Sequence, residues 1–313
     1  MTLAKPGWSR LVAMVLVMLS LRSPALANKR VALVIGNSDY QAPGMPHLFN
    51  TKRDADDIGK KLDSLGFAVT VRYDRCKKDL LQDIEAFLNQ AKGADLALFY
   101  YSGHGVRLKE TGQNFLIPVD FGQGPDRSQL SQGVELETLV QRAQIAAKAS
   151  VILLDACRTD PLGGPKGSSP LEQMTRGLYL SQTFDGDVLI LYAAAAGKPA
   201  LDGPRGDNSP FAKALVEHLG DDQPLSQIAM SVSRRVRALT SDLQKPEIQG
   251  QLTDALCLSG DCRPPPPGPA RPNRAIYRKW WLWSLVGGAA ASLAVGLGIG
   301  LTRPPAAEDI TWR

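Results

Sequence analysis

Two residues able to do covalent chemistry stand at the ends of apolar runs: His104 in YYSGHG (Tyr100–Gly105) and Cys157 in ILLDACRT (Ile152–Thr159). A cysteine thiol becomes a nucleophile when a nearby imidazole takes its proton or stabilises the thiolate. The backbone N–H groups of Gly105 and Cys157 could then hold the oxyanion of a tetrahedral intermediate. Glycines at 103 and 105 permit the close backbone approach that this needs. Side chains two apart on a strand point the same way, so Ser102 shares a side with His104, and Asp155 with Cys157. Taken singly, the cysteine reads as a small core hydrophobe and the histidine as a turn cap. Taken together, at matching strand ends, they read as a catalytic pair. His47 and His218 show no ligand spacing with Cys157 and read as surface residues, so metal binding has little support.

The runs DLALFYYS and SVILLD have the continuous apolarity of strands buried on both faces of a parallel sheet. Ligands and catalytic groups of open α/β sheets gather beyond the carboxyl ends of such strands, which is where His104 and Cys157 fall. Around them strand and helix alternate. Arg30–Ile35 is a strand, and Asn50–Leu65 an amphipathic helix with Ala55, Ile58, Leu62 and Leu65 as its apolar stripe. Ala68–Tyr73 is the next strand, Lys78–Ala91 a helix, Asp95–Ser102 a strand, Leu136–Ala147 a helix, and Ser150–Asp155 a strand. Asp187–Ala193 gives a fifth strand, followed by helices over Ser209–Leu219 and Leu225–Thr240, with a short sixth strand expected near Ala255–Leu258. Gly122–Gly133 and Thr159–Gly177 read as loops. The alternation implies a mostly parallel six-stranded sheet covered on both faces.

This α/β domain spans 28–262 and is large enough for a proper core. Before it, 1–27 shows Lys5 and Arg10, the apolar stretch Leu11–Leu21, and Ala25-Leu26-Ala27, the order of a secretory signal peptide. After it, 263–279 opens on a Pro-rich extended spacer. Trp280–Leu301 carries no charge and is long enough to cross a bilayer as one C-terminal transmembrane helix. Trp280, Trp281 and Trp283 suit a membrane interface, and Gly288, Ser292, Gly296 and Gly300 form a small-residue face on which two such helices could meet. A short tail, 302–313, follows. Export places the main domain outside the cytoplasm, a single-pass, extracytoplasmic arrangement at the cell membrane. Arg271, Arg274, Arg278 and Lys279 before the span favour the opposite orientation, but a long translocated domain moves largely regardless of charge. The net charge of +5 comes without a basic stripe interleaved with aromatics, which argues against nucleic-acid binding. Cys257 and Cys262 could form a local disulfide in an oxidising compartment, and Cys76 is expected to be unpaired.

The motifs RVALVIGNSDY, NTKRDADDIGKKLDSLGF, LALFYYSGHG and VILLDACR, with VLILYAAAAGKPALDGPRGDNSPFAKALVEHL, resemble the caspase-like cysteine peptidases, the clan of caspases and metacaspases. The spacing of a histidine well upstream of an Ala-Cys dipeptide is also the caspase arrangement. The resemblance runs in order over nearly all of Asn28–Leu258. It implies a caspase-hemoglobinase-like three-layer sandwich with His104 and Cys157 as a catalytic dyad. Caspases carry Gln where this chain has Asp155, and Gly where it has Thr159. Metacaspases share the Asp but usually follow the Cys with His-Ser-Gly, which is absent here. The likeness is therefore to bacterial caspase-like proteins.

In metacaspase-like relatives the positions matching Asp54, Ser102 and Asp155 line the S1 pocket. Two carboxylates in a partly desolvated pocket attract Arg or Lys and repel Asp, so cleavage after Arg, then Lys, is expected. Structural alternatives are that Asp155 holds the following loop and that Asp54 is a helix N-terminal acid. With basic specificity, Lys166 and Arg176 become self-cleavage sites in an exposed Gly/Pro-rich loop. Metacaspase-like relatives often require calcium, but the acidic residues here are too scattered to assign a site, and no other cofactor is implied. The partners implied are protein or peptide substrates, and the membrane through the C-terminal helix. A homodimer stays open, because caspases pair through a sheet edge and metacaspases mostly do not. The reading from a different class is a catalytically silent caspase-like interaction or assembly module at the membrane, against which the intact His-Cys pair argues.

Overall fold

The apolar run RVALVIG forms β1 (Arg30–Gly36), buried along all but its first residue, as a strand covered on both faces must be. The computed structural model describes residues 28–42, 45–108, 113–122, 132–157, 174–175, 186–195, 198, 200–253, 255–259 and 262. The expected signal segment, the Pro-rich linker, the span Trp280–Leu301, the tail, Lys166 and Arg176 lie outside the described residues. Among the described residues no helix is long and apolar enough to cross a membrane. The chain divides into two units, Met1–Arg263 and Pro264–Arg313, and only the first contains described residues.

After β1 come α1 (Thr51–Ser64), β2 (Ala68–Tyr73), α2 (Lys77–Ala91) and β3 (Ala94–Leu108). Two short strands follow, β4 (Asn114–Leu116) and β5 (Val134–Glu135), then α3 (Leu136–Ala146) and β6 (Ala147–Cys157). The remainder is β7 (Met174–Thr175), β8 (Asp187–Tyr192), α4 (Pro210–His218), α5 (Leu225–Leu239) and β9 (Glu247–Gln251). The main sheet has the order β2-β1-β3-β6-β8-β9. All neighbours in it are parallel except β8 and β9. The mixed, mostly parallel sheet expected from the sequence is thus present.

Each face of the sheet has its own core. On one, Val34, Leu98, Tyr100 and Leu153 meet Ile58 and Leu62 of α1, Phe211 and Leu215 of α4, and Ile228 and Val232 of α5. On the other, Leu33, Phe99 and Ile152 meet Leu80 and Ile84 of α2 and Leu139 and Val140 of α3. Burying one such side chain contributes about 1.5–3 kcal/mol, so these two layers of contact dominate the stability of the three-layer arrangement. A third, smaller cluster of Tyr40, Met45, Leu48, Val106, Ile117 and Phe121 sits where β1 and β3 end. Gly36 makes the junction possible, because a Cβ there would lie 2.5 Å from the Thr51 carbonyl oxygen at the start of α1.

Three expectations need correction. The sixth strand is Glu247–Gln251, not Ala255–Leu258; of that segment, Cys257 makes only an isolated bridge to Pro224. EIQGQ is polar because β9 is an edge strand with one paired neighbour, so it lacks the apolar run that marks a buried strand. β3 continues to Leu108 instead of ending at Ser102, since beyond the main sheet it pairs antiparallel with β4 and β7. The segment Thr159–Gly177, expected to be all loop, contributes β7, which needs only backbone pairing with Arg107 and Leu108.

Candidate active site

Strand register brings the two reactive residues together. β3 and β6 pair in parallel with Ser102 opposite Asp155, Gly103 opposite Ala156 and His104 opposite Cys157. The side chain of Cys157 lies outside the described part of the molecule; its backbone ends β6 beside His104. Alternation along β3 puts Ser102 in phase with Tyr100, and Tyr100 belongs to the core face shared with α1, α4 and α5.

His104 is buried and held at every backbone polar group. Its N–H donates to the Tyr40 hydroxyl at 2.7 Å. Its carbonyl accepts from the Tyr101 hydroxyl at 2.9 Å and from Ile117 N–H at 3.0 Å. The Tyr101 hydroxyl also lies 2.8 Å from the Ile117 carbonyl and 3.3 Å from the Tyr40 hydroxyl. Carbonyls cannot donate, so the Tyr101 proton goes to them and the Tyr40 proton to Tyr101. The result is a closed ring of hydrogen bonds around one residue. Gly103 is required for it, since a Cβ there would lie 2.6 Å from the Tyr40 hydroxyl and 2.7 Å from that of Tyr101.

The imidazole is oriented by a backbone carbonyl. Nε2 lies 2.9 Å from the Pro46 oxygen, which can only accept, so Nε2 carries the hydrogen. In the neutral ring Nδ1 is then the basic nitrogen, and it is buried with no hydrogen-bond partner among the described residues. Burial lowers the pKa of His104, and the Pro46 carbonyl offsets this in part. The Tyr40 ring packs against the imidazole, centroids 4.4 Å apart and tilted by 53°.

The three expected pocket residues are also gathered, through two residues the sequence reading passed over. Ser209 donates its N–H to Asp54 Oδ1 at 2.9 Å and its hydroxyl to Asp155 Oδ2 in a short hydrogen bond. The same hydroxyl oxygen accepts from Ala212 N–H at 2.9 Å and so caps α4, with Pro210 in its first turn. The Tyr100 hydroxyl donates to Asp155 Oδ2 at 3.4 Å and is hydrogen bonded to Ser102. Asp54 is fully buried, and its Oδ2 has no hydrogen-bond partner among the described residues.

Burial pushes both carboxyls up. Asp54 rises to about 9, from burial first and the charge of Asp155 second. Asp155 rises to about 7 from burial, with the Ser209 hydroxyl opposing and the charge of Asp202 adding. Asp202, also missed from the sequence, accepts from Phe49 N–H at 3.0 Å, and burial raises it too. None of the three forms an ion pair with a lysine or arginine among the described residues. Arg53 instead donates to Asn208 Oδ1 and the Gly206 carbonyl. The cluster is therefore short of positive charge and holds one buried acceptor open to a donor.

Ser209 had a visible signal, a Ser-Pro pair opening an apolar helix. Tyr40, Pro46, Tyr100 and Asp202 had none, since each acts through the way loops fold back over the sheet. No group of three or more His, Cys, Asp or Glu among the described residues is placed to hold a metal ion.

A family model described as the caspase domain matches residues 29–257. Among solved structures, the crystal structure of protein GSU0716 from Geobacter sulfurreducens is similar, with a TM-score of 0.51 and 16% identity over 72% of this chain and 94% of that one. That likeness is one of fold. No match was found among curated proteins.

Proposed function

The chain belongs to the caspase-domain family, whose members are in general cysteine peptidases, and from that premise we propose that it is a cysteine endopeptidase cleaving after arginine or lysine. The observation that carries the reading is the register pair His104–Cys157 with Nδ1 of His104 unpartnered and Nε2 fixed by Pro46. His104 Nδ1 takes the thiol proton, and the thiolate of Cys157 attacks the scissile carbonyl carbon. The N–H groups of Gly105 and Cys157 hold the oxyanion. On collapse the C–N bond breaks, and the leaving amine takes the proton from His104. Water, with His104 as base, then hydrolyses the thioester.

Specificity rests on Asp54 and Asp155, with Ser102 beside them. A P1 guanidinium brings the positive charge the cluster lacks and N–H donors for Asp54 Oδ2. It also stabilises both carboxylates in ionised form, so its arrival expels a proton from the pocket. The Cys257–Cys262 disulfide supports an oxidising compartment, in keeping with export and with a tether through Trp280–Leu301. In that arrangement the peptidase domain is extracytoplasmic, and Lys166 and Arg176 are self-cleavage sites.

The test is hydrolysis of fluorogenic peptides with Arg, Lys or Asp at P1 by the full chain in detergent, with a Cys157→Ala control. Turnover after Arg that vanishes in the control is expected. Cleavage after Asp, or turnover that persists in the control, would contradict the proposal.

A further inference from the structure

The imidazole of His104 has both ring nitrogens accounted for and a tyrosine ring packed against it. Nε2 points at the Pro46 carbonyl, Nδ1 is the remaining in-plane nitrogen, and the Tyr40 ring packs against the imidazole, centroids 4.4 Å apart and tilted by 53°. Among the described residues no carboxylate is hydrogen bonded to the ring. The histidine of a hydrolytic triad is commonly paired with an acid that stabilises its cationic form, and among the described residues the partners of this ring are uncharged. A cation within about 6 Å of a tyrosine centroid is attracted by the ring's negative face, more strongly when the pair is desolvated. His104 is 1% exposed and Tyr40 8%.

We infer that Tyr40 is a positioning residue for the dyad, its ring face stabilising the imidazolium that His104 becomes on taking the thiol proton of Cys157. The inference rests on the peptidase reading and adds to it the group that stands in for the missing acid. The proton moves from sulfur to Nδ1 and no other bond changes, so the product is a thiolate–imidazolium pair. Without help that pair is disfavoured by burial, which lowers the histidine's basicity, and the Pro46 carbonyl is the one offsetting hydrogen bond. The titratable groups on the packed elements are Tyr40 after β1, Tyr101 on β3, His47 next to Pro46, Asp155 on β6 and Asp54 on α1. None of these acts on His104 as a charge. The Tyr40 hydroxyl is occupied by His104 N–H and Tyr101, which holds the ring against the imidazole.

The experiment follows the pH dependence of iodoacetamide alkylation of Cys157 in the full chain, read by mass spectrometry of the Cys157 peptide in a Cys76→Ser background. Tyr40→Phe is compared with isosteric mono-, di- and trifluorophenylalanine at the same position, which keep the shape and drain the ring face. The parent and Tyr40→Phe should show a thiolate well below the ordinary thiol range. Fluorination should raise the apparent thiol pKa stepwise, by about one unit in total, or roughly tenfold less thiolate at a fixed pH. Tyr40→Leu, checked for folding by near-UV circular dichroism, should match the most fluorinated form, and Tyr40→Trp should restore the parent titration. A fluorinated series that titrates like Tyr40→Phe overturns the role of Tyr40 and leaves the dyad standing. A parent titration identical to that of His104→Ala overturns the dyad, and the role of Tyr40 with it.

Discussion

At the residue scale the site separates two tasks. In the proposed peptidase, His104 and Cys157 supply proton transfer and attack, while Asp54 and Asp155 supply charge for recognition. His104→Ala should therefore lower kcat by about 10²- to 10⁴-fold with little change in KM, measured on an Arg peptide. Asp155→Asn should act mainly through KM and weaken Arg over neutral P1 residues. The raised pKa values of Asp54 and Asp155 make binding pH-dependent. The empty pocket keeps a proton that a guanidinium must displace, so KM for Arg peptides should fall as pH rises through about 7 and on toward 9, and Asp54→Asn should flatten that limb. Stability moves the other way. Unfolded carboxyls ionise near pH 4, so above that the folded state binds more protons than the unfolded. The unfolding free energy of the substrate-free protein, and with it the denaturant midpoint, should then drop toward pH 9, by up to about 1.4 kcal/mol per pH unit for each carboxyl still protonated in the folded state. A rising midpoint over that range would contradict the buried, protonated pair.

At the element scale, α4 and β6 are joined by one side chain. Ser209 caps α4 and at the same time holds Asp155 at the end of β6. Ser209→Ala should cost about 1 kcal/mol through the lost cap and also raise KM for Arg peptides, because Asp155 loses its strongest neutral donor. Ser209→Thr keeps a hydroxyl and should recover most of both. A loss of stability with unchanged KM would separate the cap from the pocket. The tyrosines belong to this scale too, since Tyr40 and Tyr101 tie the loop after β1 to the extended end of β3.

For the whole molecule, the last described segment returns to the first strand. Arg30 donates to the Leu258 carbonyl at 2.6 Å and the Cys257 carbonyl at 3.3 Å, and the Cys257–Cys262 disulfide follows. A disulfide closing so short a loop contributes about 2 kcal/mol in the chain-entropy account. Reduction, or Cys257→Ser with Cys262→Ser, should thus lower Tm by a few degrees without touching the dyad. A reporter fused at the C-terminus tests the proposed topology: activity confined to the cytoplasmic side fits it, and activity outside places the tail on the wrong side.

How much was legible follows from which forces act locally. Continuous apolar runs marked β1, β3, β6 and β8 because strands buried on both faces must be apolar throughout, and those runs ended at His104 and Cys157. Parity along the strand put Ser102 in phase with His104 and Asp155 in phase with Cys157. Edge strand β9 was misplaced because a polar edge carries no such signature. Pro46, Tyr40, Tyr100 and Asp202 were out of reach for a related reason: a carbonyl, a ring face or a buried hydroxyl gains its role from what folds against it. The sequence alone determined the sheet, the candidate pair and the acids at the strand and helix ends, since periodicity and residue chemistry are local properties. The register of β3 against β6, the tautomer of His104, the bridging by Ser209 and the burial that raises Asp54 and Asp155 were decided only by the tertiary structure, because each depends on the distance and solvent exclusion that distant segments impose on one another.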